Sequence, residues 1–316
     1  MPNFPWPLKV ALFFINIGGP DTNKPLVHNR KKTDGWMRFM DSACGIRTKN
    51  FHSITKHTFT SSEGHEIKMR VFKPSHTNEK LPIVVYYHGG GFAYGHYMVR
   101  PNFLKAVAAQ VNCIVVSVEY RLSPENPFPA GLHDCYEALQ WVEANADKIG
   151  GDAKRIAVCG ESAGGNLSAA VSMMARDKRG PKIIHQTLLY PAVDMTMNYP
   201  SMKSNSKGYM LTEVMIEQFG AAYLGHEGNL SNVYAAPILG KHEDLPPATI
   251  ITAQYDPLVD QGNLYAEKLM AAGVPVVHKE YENAIHDFTL MMGRTTEQSR
   301  HSTQLVVNEL KKAFKK

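Results

Sequence analysis

A series of short, continuous apolar runs limits the folds open to this chain more than any other feature of its sequence. Each run has four to six residues, is rich in β-branched side chains and lies close to a Gly or Pro. Continuous rather than alternating apolarity is typical of strands buried on both faces, as in a parallel sheet. The runs are residues 83–87, 113–118, 156–159, 187–190, 249–252 and 274–277.

Helical patterns separate these runs and predict the class of fold. Apolar residues recur at three- and four-residue spacing in segments 103–111, 131–146, 163–176, 262–272 and 296–314. Two alternating runs, 54–60 and 67–72, precede them and predict an antiparallel hairpin. The repeated order of strand and helix predicts an α/β fold with a mostly parallel central sheet flanked by helices.

Composition excludes several other classes of protein. The 316 residues carry 34 Lys and Arg against 29 Asp and Glu, a net charge of +5, with 44% hydrophobic residues. These values are ordinary for a globular protein and do not favour a nucleic-acid partner, disorder or a coiled coil. None of the four cysteines forms a C-x-x-C pair, and Cys113 and Cys159 are predicted to be reduced thiols in the core.

The sequence Gly-Glu-Ser-Ala-Gly at 160–164 follows one apolar run and opens a helical pattern. In this context G-x-S-x-G predicts a strained turn from strand to helix that exposes Ser162 as a nucleophile. The first turn of the following helix presents the positive end of its dipole to developing negative charge. These observations predict nucleophilic catalysis by Ser162.

A serine nucleophile requires a base and an acidic residue that orients the base. Asp256 stands just past the run that ends near Ala253, and His286 lies beyond the next predicted strand. The order Ser, Asp, His is that of the G-x-S-x-G hydrolases. We therefore predict Ser162, Asp256 and His286 as a catalytic triad, and Asp287 as a surface or capping residue.

The sequence His-Gly-Gly-Gly-Phe at 88–92 directly follows the run 83–87. Backbone N–H groups of Gly90 and Gly91 can approach an oxyanion because no Cβ intrudes, and the N–H of Ala163 would supply a third donor. The alternative is a flexible glycine turn without a role in catalysis. His88 is predicted to be a hydrogen-bonding strut.

Motifs for phosphate or metal chemistry fail. Asn166 occupies the position after Gly165 where a Walker A loop needs Lys, and no H-E-x-x-H motif occurs. His278, Glu280 and His286 are spaced too loosely for a coherent metal site. We therefore predict no metal site and no cofactor.

Five motifs in order resemble the hormone-sensitive-lipase-like esterases of the α/β-hydrolase superfamily. They are HGGGF (88–92), EYRLSPENPFPA (119–130), GESAGGN (160–166), YDPLVD (255–260) and HDF (286–288), and the resemblance runs from about residue 54 to the C-terminus. It implies an α/β-hydrolase fold and a serine carboxylic ester hydrolase for short-to-medium acyl esters. It also implies the triad and the oxyanion hole named above. Glu161 stands where many members carry Asp, and we expect little effect on the triad.

The same resemblance implies a helical cap. The strand–helix alternation breaks between residues 194 and 239, and residues 33–43 near the N-terminus show a helix-like pattern. We expect segments 1–53 and 194–239 to form the cap over a core of residues 54–193 and 240–316. An insertion after a strand lies at the sheet edge where α/β proteins bind ligands.

Alternatives to the esterase hypothesis remain open. An amidase or arylformamidase would use the same triad. A non-catalytic small-molecule receptor of the same fold is another alternative, since some relatives that have lost the catalytic His are such receptors. The apolar segment 8–17 is expected to pack on the fold without membrane contact, although hydrolysis of membrane lipids is a further alternative. We expect a small-molecule ester substrate and, without a convincing signal peptide, a cytoplasmic location. The family also suggests a homodimer through the run 274–277.

Overall fold

The central sheet determines where the functional residues lie. The structure is a computed structural model that describes residues 3–18, 20–49, 51–96, 98, 100–225, 228 and 230–315, without the side chains of residues 16–18. Its strands are β1 (Ser53–Thr60), β2 (Glu66–Lys73), β3 (Leu81–Tyr87), β4 (Ile114–Glu119), β5 (Gly151–Glu161), β6 (Ile183–Leu189), β7 (Ala248–Tyr255) and β8 (Val276–Ile285). Within the described residues they form one sheet in the order β1-β2-β4-β3-β5-β6-β7-β8.

Helices connect and flank these strands. They are α1 (Trp6–Gly18), α2 (Leu26–Cys44), α3 (Pro101–Val111), α4 (Ala130–Ala144), α5 (Ala146–Ile149), α6 (Ala163–Asp177), α7 (Pro200–Ser204), α8 (Glu213–Leu224), α9 (Val259–Ala271), α10 (Phe288–Met291) and α11 (Glu297–Phe314), with a 3-10 helix at Pro237–Leu239. The architecture is therefore α/β, as predicted, and it is the α/β-hydrolase fold.

Strand β3 shows how the sheet builds a core on each of its faces. Ile83 and Val85 pack into the cluster that includes side chains of α4 and α6. Val84 and Tyr86, which alternate with them, pack with side chains of α3 and α11. Burial on both faces explains why this strand appears in the sequence as a continuous apolar run.

The predicted strands are confirmed, and all of them except β4 are longer than their predicted runs. The hairpin is antiparallel, with Ile54 opposite Phe72, and each of the six apolar runs overlaps a strand. Strand β8 continues to Ile285 although the predicted run ends at residue 277. It is an edge strand whose side chains largely alternate between more and less buried positions, so its second half lacks continuous apolarity.

The parallel strands bring the functional loops to one edge of the sheet. Strands β3, β5, β6, β7 and β8 run parallel to their neighbours in that row, so their carboxyl ends meet at the same edge. The loops after β3, β5, β7 and β8 carry the motifs that the sequence singled out. Ligands of α/β proteins bind at this edge.

Both segments predicted to form a cap contain helices, and parts of both lie outside the described residues. Segment 1–53 contains α1 and α2, and segment 194–239 contains α7, α8 and the 3-10 helix. Helix α2 begins at Leu26, earlier than the helix-like pattern that starts at residue 33, and its N-cap position is Pro25. Proline is tolerated at a helix start because its missing N–H would have no partner there.

Candidate active site

Ser162 lies in a strained turn between β5 and α6. Its backbone adopts φ 55° and ψ −119°, and its N–H donates to the carbonyl of Leu189 at 2.9 Å. A Cβ on Gly160 would lie 2.1 Å from the carbonyl oxygen of Gly164, and a Cβ on Gly164 would lie 2.0 Å from that of Tyr87. The close approach of backbone to backbone therefore requires glycine on both sides of the serine.

The structure brings Ser162, His286 and Asp256 into one hydrogen-bonded chain. The Nε2 atom of His286 lies 2.9 Å from the Oγ atom of Ser162. Its Nδ1 atom lies 2.6 Å from Oδ2 of Asp256. The other carboxylate oxygen of Asp256 accepts the backbone N–H of Leu258 at 2.9 Å. This is the geometry of a nucleophile, a base and an orienting carboxylate.

Burial and charge have opposite effects on the pKa of His286, the base of the predicted triad. His286 and Asp256 are both buried. Burial alone would lower the pKa of His286, but the carboxylate of Asp256 favours the imidazolium, and the net effect raises that pKa above its ordinary value. A carboxylate that stabilises the imidazolium is suited to a base that must hold a proton in mid-reaction.

The glycine motif after β3 faces the same space as Ser162. Gly90 and Gly91 line one cavity with Ser162 and His286, and both have positive φ, 113° and 61°. Ala163 follows Ser162 as the first residue of α6. Gly90 and Gly91 therefore share the cavity of Ser162, and Ala163 adjoins the serine at the helix start.

A buried carboxylate ties the glycine loop to the serine turn. Glu161 accepts the N–H of Gly89 at 2.8 Å through one oxygen and the hydroxyl of Tyr86 through the other. Burial raises the pKa of Glu161 to about 7, against the opposing charge of Arg100. Glu161 thus connects the strand end of β3 with the residue that precedes the nucleophile.

The prediction that Asp287 is a surface or capping residue is wrong. Asp287 occupies the N-cap position of α10, but its side chain makes no capping hydrogen bond and instead forms a buried ion pair with Arg100. Arg100 is 3% exposed and lines the cavity. The sequence gives no signal for this pair because its members lie 187 positions apart. The Asp287 carboxylate, which follows His286 in the sequence, is therefore paired with the guanidinium of Arg100.

His88 is a structural strut, as predicted. Its ring stacks on Tyr120 with centroids 4.3 Å apart, and the hydroxyl of Tyr120 donates to the carbonyl of His88 at 2.6 Å. Burial lowers the pKa of His88 to about 4, so the ring is neutral near pH 7. These contacts fix the start of the glycine loop.

The cavity above the triad has a volume of about 590 Å³, within the usual range for small-molecule sites. Its walls are mainly apolar and come from three parts of the chain. The N-terminal segment contributes Phe14, Ile15, Trp36, Met37, Phe39 and Met40, the insertion contributes Met210, Leu211, Met215 and Phe219, and Met291 lies in α10.

A wider surface groove lies elsewhere. It has a volume of about 1330 Å³, and its lining includes Arg155, Ile183, Ala248 and Val276, at or near the amino ends of β5 to β8. Ser162, Asp256 and His286 do not line it. Because α/β proteins bind ligands at the carboxyl ends of their strands, the smaller cavity is the candidate active site.

Comparison with known proteins agrees with this fold. A model of the α/β hydrolase fold family matches residues 84–290. The carboxylesterase NlhH of Mycobacterium tuberculosis is 41% identical over 227 residues, which are 71% of this chain and 71% of that protein. The arylesterase of Saccharolobus solfataricus is 36% identical over 256 residues, 80% of this chain and 81% of the arylesterase.

Solved structures of other proteins resemble this fold over nearly the whole chain. A hyperthermophilic esterase from the archaeon Pyrobaculum calidifontis superposes with a TM-score of 0.92 at 34% identity, covering 99% of each chain. The sheet order and the serine turn are those of the α/β hydrolase class. The chain belongs to the α/β hydrolase fold family, in its hormone-sensitive-lipase-like branch.

Proposed function

We propose that this protein is a serine carboxylic ester hydrolase and that Ser162, His286 and Asp256 are its catalytic triad. The observation that carries the proposal is the continuous chain from Oγ of Ser162 through the imidazole to Asp256, at 2.9 and 2.6 Å. The relatives named carboxylesterase, arylesterase and esterase support the choice of reaction.

In the proposed reaction, Oγ of Ser162 attacks the acyl carbon while Nε2 of His286 takes its proton. The Asp256 carboxylate holds the imidazole in the required tautomer and stabilises the imidazolium. The N–H groups of Gly90, Gly91 and Ala163 bind the oxyanion, each worth about 3 kcal/mol of barrier. The imidazolium then protonates the leaving alcohol, and water attacks the acyl-enzyme by the same route.

The cavity supports esters with short-to-medium acyl groups as substrates. Its apolar walls and its volume of about 590 Å³ suit a small hydrophobic ester. We propose residues 1–53 and 194–239 as a cap on a core of residues 54–193 and 240–316, because side chains of both segments line the cavity. Methionines of the insertion, such as Met210 and Met215, give this wall an adaptable surface.

We also propose a homodimer through β8, and a cytoplasmic location. Strand β8 lies at the edge of the sheet and pairs with β7 on one side, which leaves its other edge available for strand pairing. Size-exclusion chromatography with light scattering tests the dimer.

The cytoplasmic location rests on the four cysteines, which are free thiols, as in proteins of a reducing compartment.

Hydrolysis of p-nitrophenyl esters from C2 to C16 tests the proposed activity. We expect turnover to peak at short or medium chains and to disappear in Ser162→Ala. Ser172→Ala is the matched control, since Ser172 is a buried serine further along α6 that bonds to the backbone of Ser168. Turnover of a matched anilide but of no ester would favour the amidase alternative.

A further inference from the structure

Helix α1 is apolar on the face that it buries and also on the face that it exposes. Leu8, Leu12 and Ile15 are buried in a cluster with side chains of α2 and α10. Trp6 and Phe13 are 74% and 61% exposed, and they lie two turns apart on the same side of the helix. Exposed apolar patches rimmed by polar residues mark surfaces that interact with proteins or membranes.

The exposed side of α1 continues across the rim of the candidate active site. Phe14 is 56% exposed and Phe39 of α2 is 60% exposed. Both line the cavity that contains Ser162. We call Trp6, Phe13, Phe14 and Phe39 the aromatic face. It joins an uncovered apolar surface directly to the entrance of the cavity.

The segment that carries the aromatic face also carries the net charge of the protein. Residues 1–53 contain eight Lys and Arg against three Asp and no Glu, a net +5 that equals the charge of the whole chain. The remainder of the chain is balanced at 26 basic and 26 acidic residues. Lys9, Lys31 and Arg38 are exposed on α1 and α2, whereas Asp41 is buried.

We propose that the aromatic face docks on an anionic lipid surface. Exposed Trp and Phe side chains bordered by lysines and arginines match the acyl boundary and the headgroups of such a surface. A second copy of the chain would bring the same basic segment against itself, and like charges at an interface are costly. This proposal departs from the expectation of no membrane contact.

The protein would lie on the surface without crossing it. Helix α1 has 13 residues and is about 20 Å long, shorter than the ~30 Å hydrocarbon core of a bilayer. None of the helices in the described part of the chain is long and apolar enough to span a membrane. Its aromatic side chains would enter the boundary between headgroups and acyl chains.

Docking in this orientation would place the cavity entrance at the lipid surface. This step rests on the proposed function, because it makes esters dissolved in a lipid phase the substrates of Ser162. An acyl chain would then reach the apolar cavity beside Phe14 and Phe39, which line it. Binding to lipid itself does not depend on turnover, and it is measured separately.

Cosedimentation with vesicles tests the proposal. The full-length protein is mixed with vesicles of pure phosphatidylcholine, or of phosphatidylcholine with 30 mol% phosphatidylglycerol. We expect binding to the anionic vesicles and its weakening by salt. The double variant Trp6→Ser/Phe13→Ser should bind at least about tenfold more weakly. The charge variant Lys9→Glu/Lys31→Glu should also bind roughly tenfold more weakly.

Matched controls separate docking from folding and catalysis. Trp6 and Phe13 do not line the cavity, so their replacement should leave hydrolysis of soluble p-nitrophenyl acetate unchanged. Leu239→Ser/Met270→Ser changes two other exposed apolar residues and should leave vesicle binding intact. Lys311→Glu/Lys312→Glu is the corresponding charge control.

Several outcomes would overturn the proposal. One is the absence of binding to anionic vesicles while the soluble ester is still hydrolysed. Equal binding by Trp6→Ser/Phe13→Ser would show that the aromatic face is not the docking surface. A concentration-dependent dimer that this variant abolishes, without vesicle binding by the native chain, would identify a second copy as the occupant. Vesicle binding without ester turnover would instead contradict only the proposed function.

Discussion

Replacement of Gly90 by Ala is the sharpest test of the glycine loop. Gly90 has a φ of 113°, which L-residues with a side chain rarely adopt. A Cβ there would lie 2.4 Å from the carbonyl oxygen of Tyr94 and 2.8 Å from its carbonyl carbon. The carbonyl of Gly90 itself accepts the N–H of Tyr94 at 2.8 Å. The obstacle is therefore backbone in a tight turn, and the loop must move to accept the methyl group.

Movement of this loop should damage the transition state more than the ground state. Gly90 and Gly91 line the cavity beside Ser162, and the proposed oxyanion needs their N–H groups in place. Loss of one such donor costs about 10²- to 10³-fold in kcat. KM should change little, because a donor placed for the oxyanion contributes little to substrate binding. The unfavourable φ should also cost ~1 kcal/mol or more of stability.

Steady-state hydrolysis of p-nitrophenyl butyrate measures both constants, and urea unfolding measures stability. Gly64→Ala is the matched control, since Gly64 has a φ of 82° and a Cβ there meets nothing within 4 Å. It should lose stability from backbone strain while kcat stays within twofold of the native value. Equal kcat values for Gly90→Ala and the native protein would refute the role of this loop as an oxyanion hole.

Three further predictions concern the triad, its charged neighbour and the core. Asp256→Asn should lower kcat about 10⁴-fold with the fold retained, because the buried carboxylate on Nδ1 of His286 fixes the tautomer; circular dichroism checks the fold. Catalysis needs neutral His286, whose pKa is raised in part by Asp287. The acid limb of kcat/KM should therefore lie above the ordinary histidine pKa, and Asp287→Asn should move this limb to lower pH. Arg100→Met leaves the Asp287 carboxylate unpaired and should move the acid limb to higher pH. A shift in the same direction in both variants would contradict this reading. Val158→Ala, at a fully buried position of β5, should cost ~1–3 kcal/mol in urea unfolding with kcat nearly unchanged.

Local sequence carries enough information to predict most of this fold. The central strands are buried on both faces, so their apolar runs are unbroken and easily recognised. The serine turn is equally local, since Gly160 and Gly164 stand two positions on either side of Ser162. These signals lie within a few residues of each other, and the structure agrees with them.

The features that the sequence does not reveal depend on contacts between distant segments. Strand β8 lies at the edge of the sheet, and the side chains of its second half lack the apolar pattern of the central strands. Arg100 and Asp287 appear as ordinary charged residues until the fold buries them together. In the same way, Phe219 of α8 packs against Gly91, where a Cβ would lie 2.3 Å from its ring. No local pattern encodes such pairings.

The exposure of α1 is also a property of the fold. The sequence of residues 8–17 shows a strongly apolar helix, which predicts packing but not which side remains uncovered. Only the folded chain shows that Leu8 and Leu12 are buried while Trp6 and Phe13 face outward. That difference turns an expectation of simple packing into a testable docking surface.

Trapping of the acyl-enzyme tests the central claim most directly. The protein is mixed with p-nitrophenyl butyrate, quenched in acid within milliseconds, digested and analysed by peptide mass spectrometry. We predict a butyryl group on Ser162, with none in Ser162→Ala and an unchanged yield in Ser172→Ala. Acylation of another residue, or ester turnover by Ser162→Ala at the native rate, would contradict the account of Ser162 as the nucleophile.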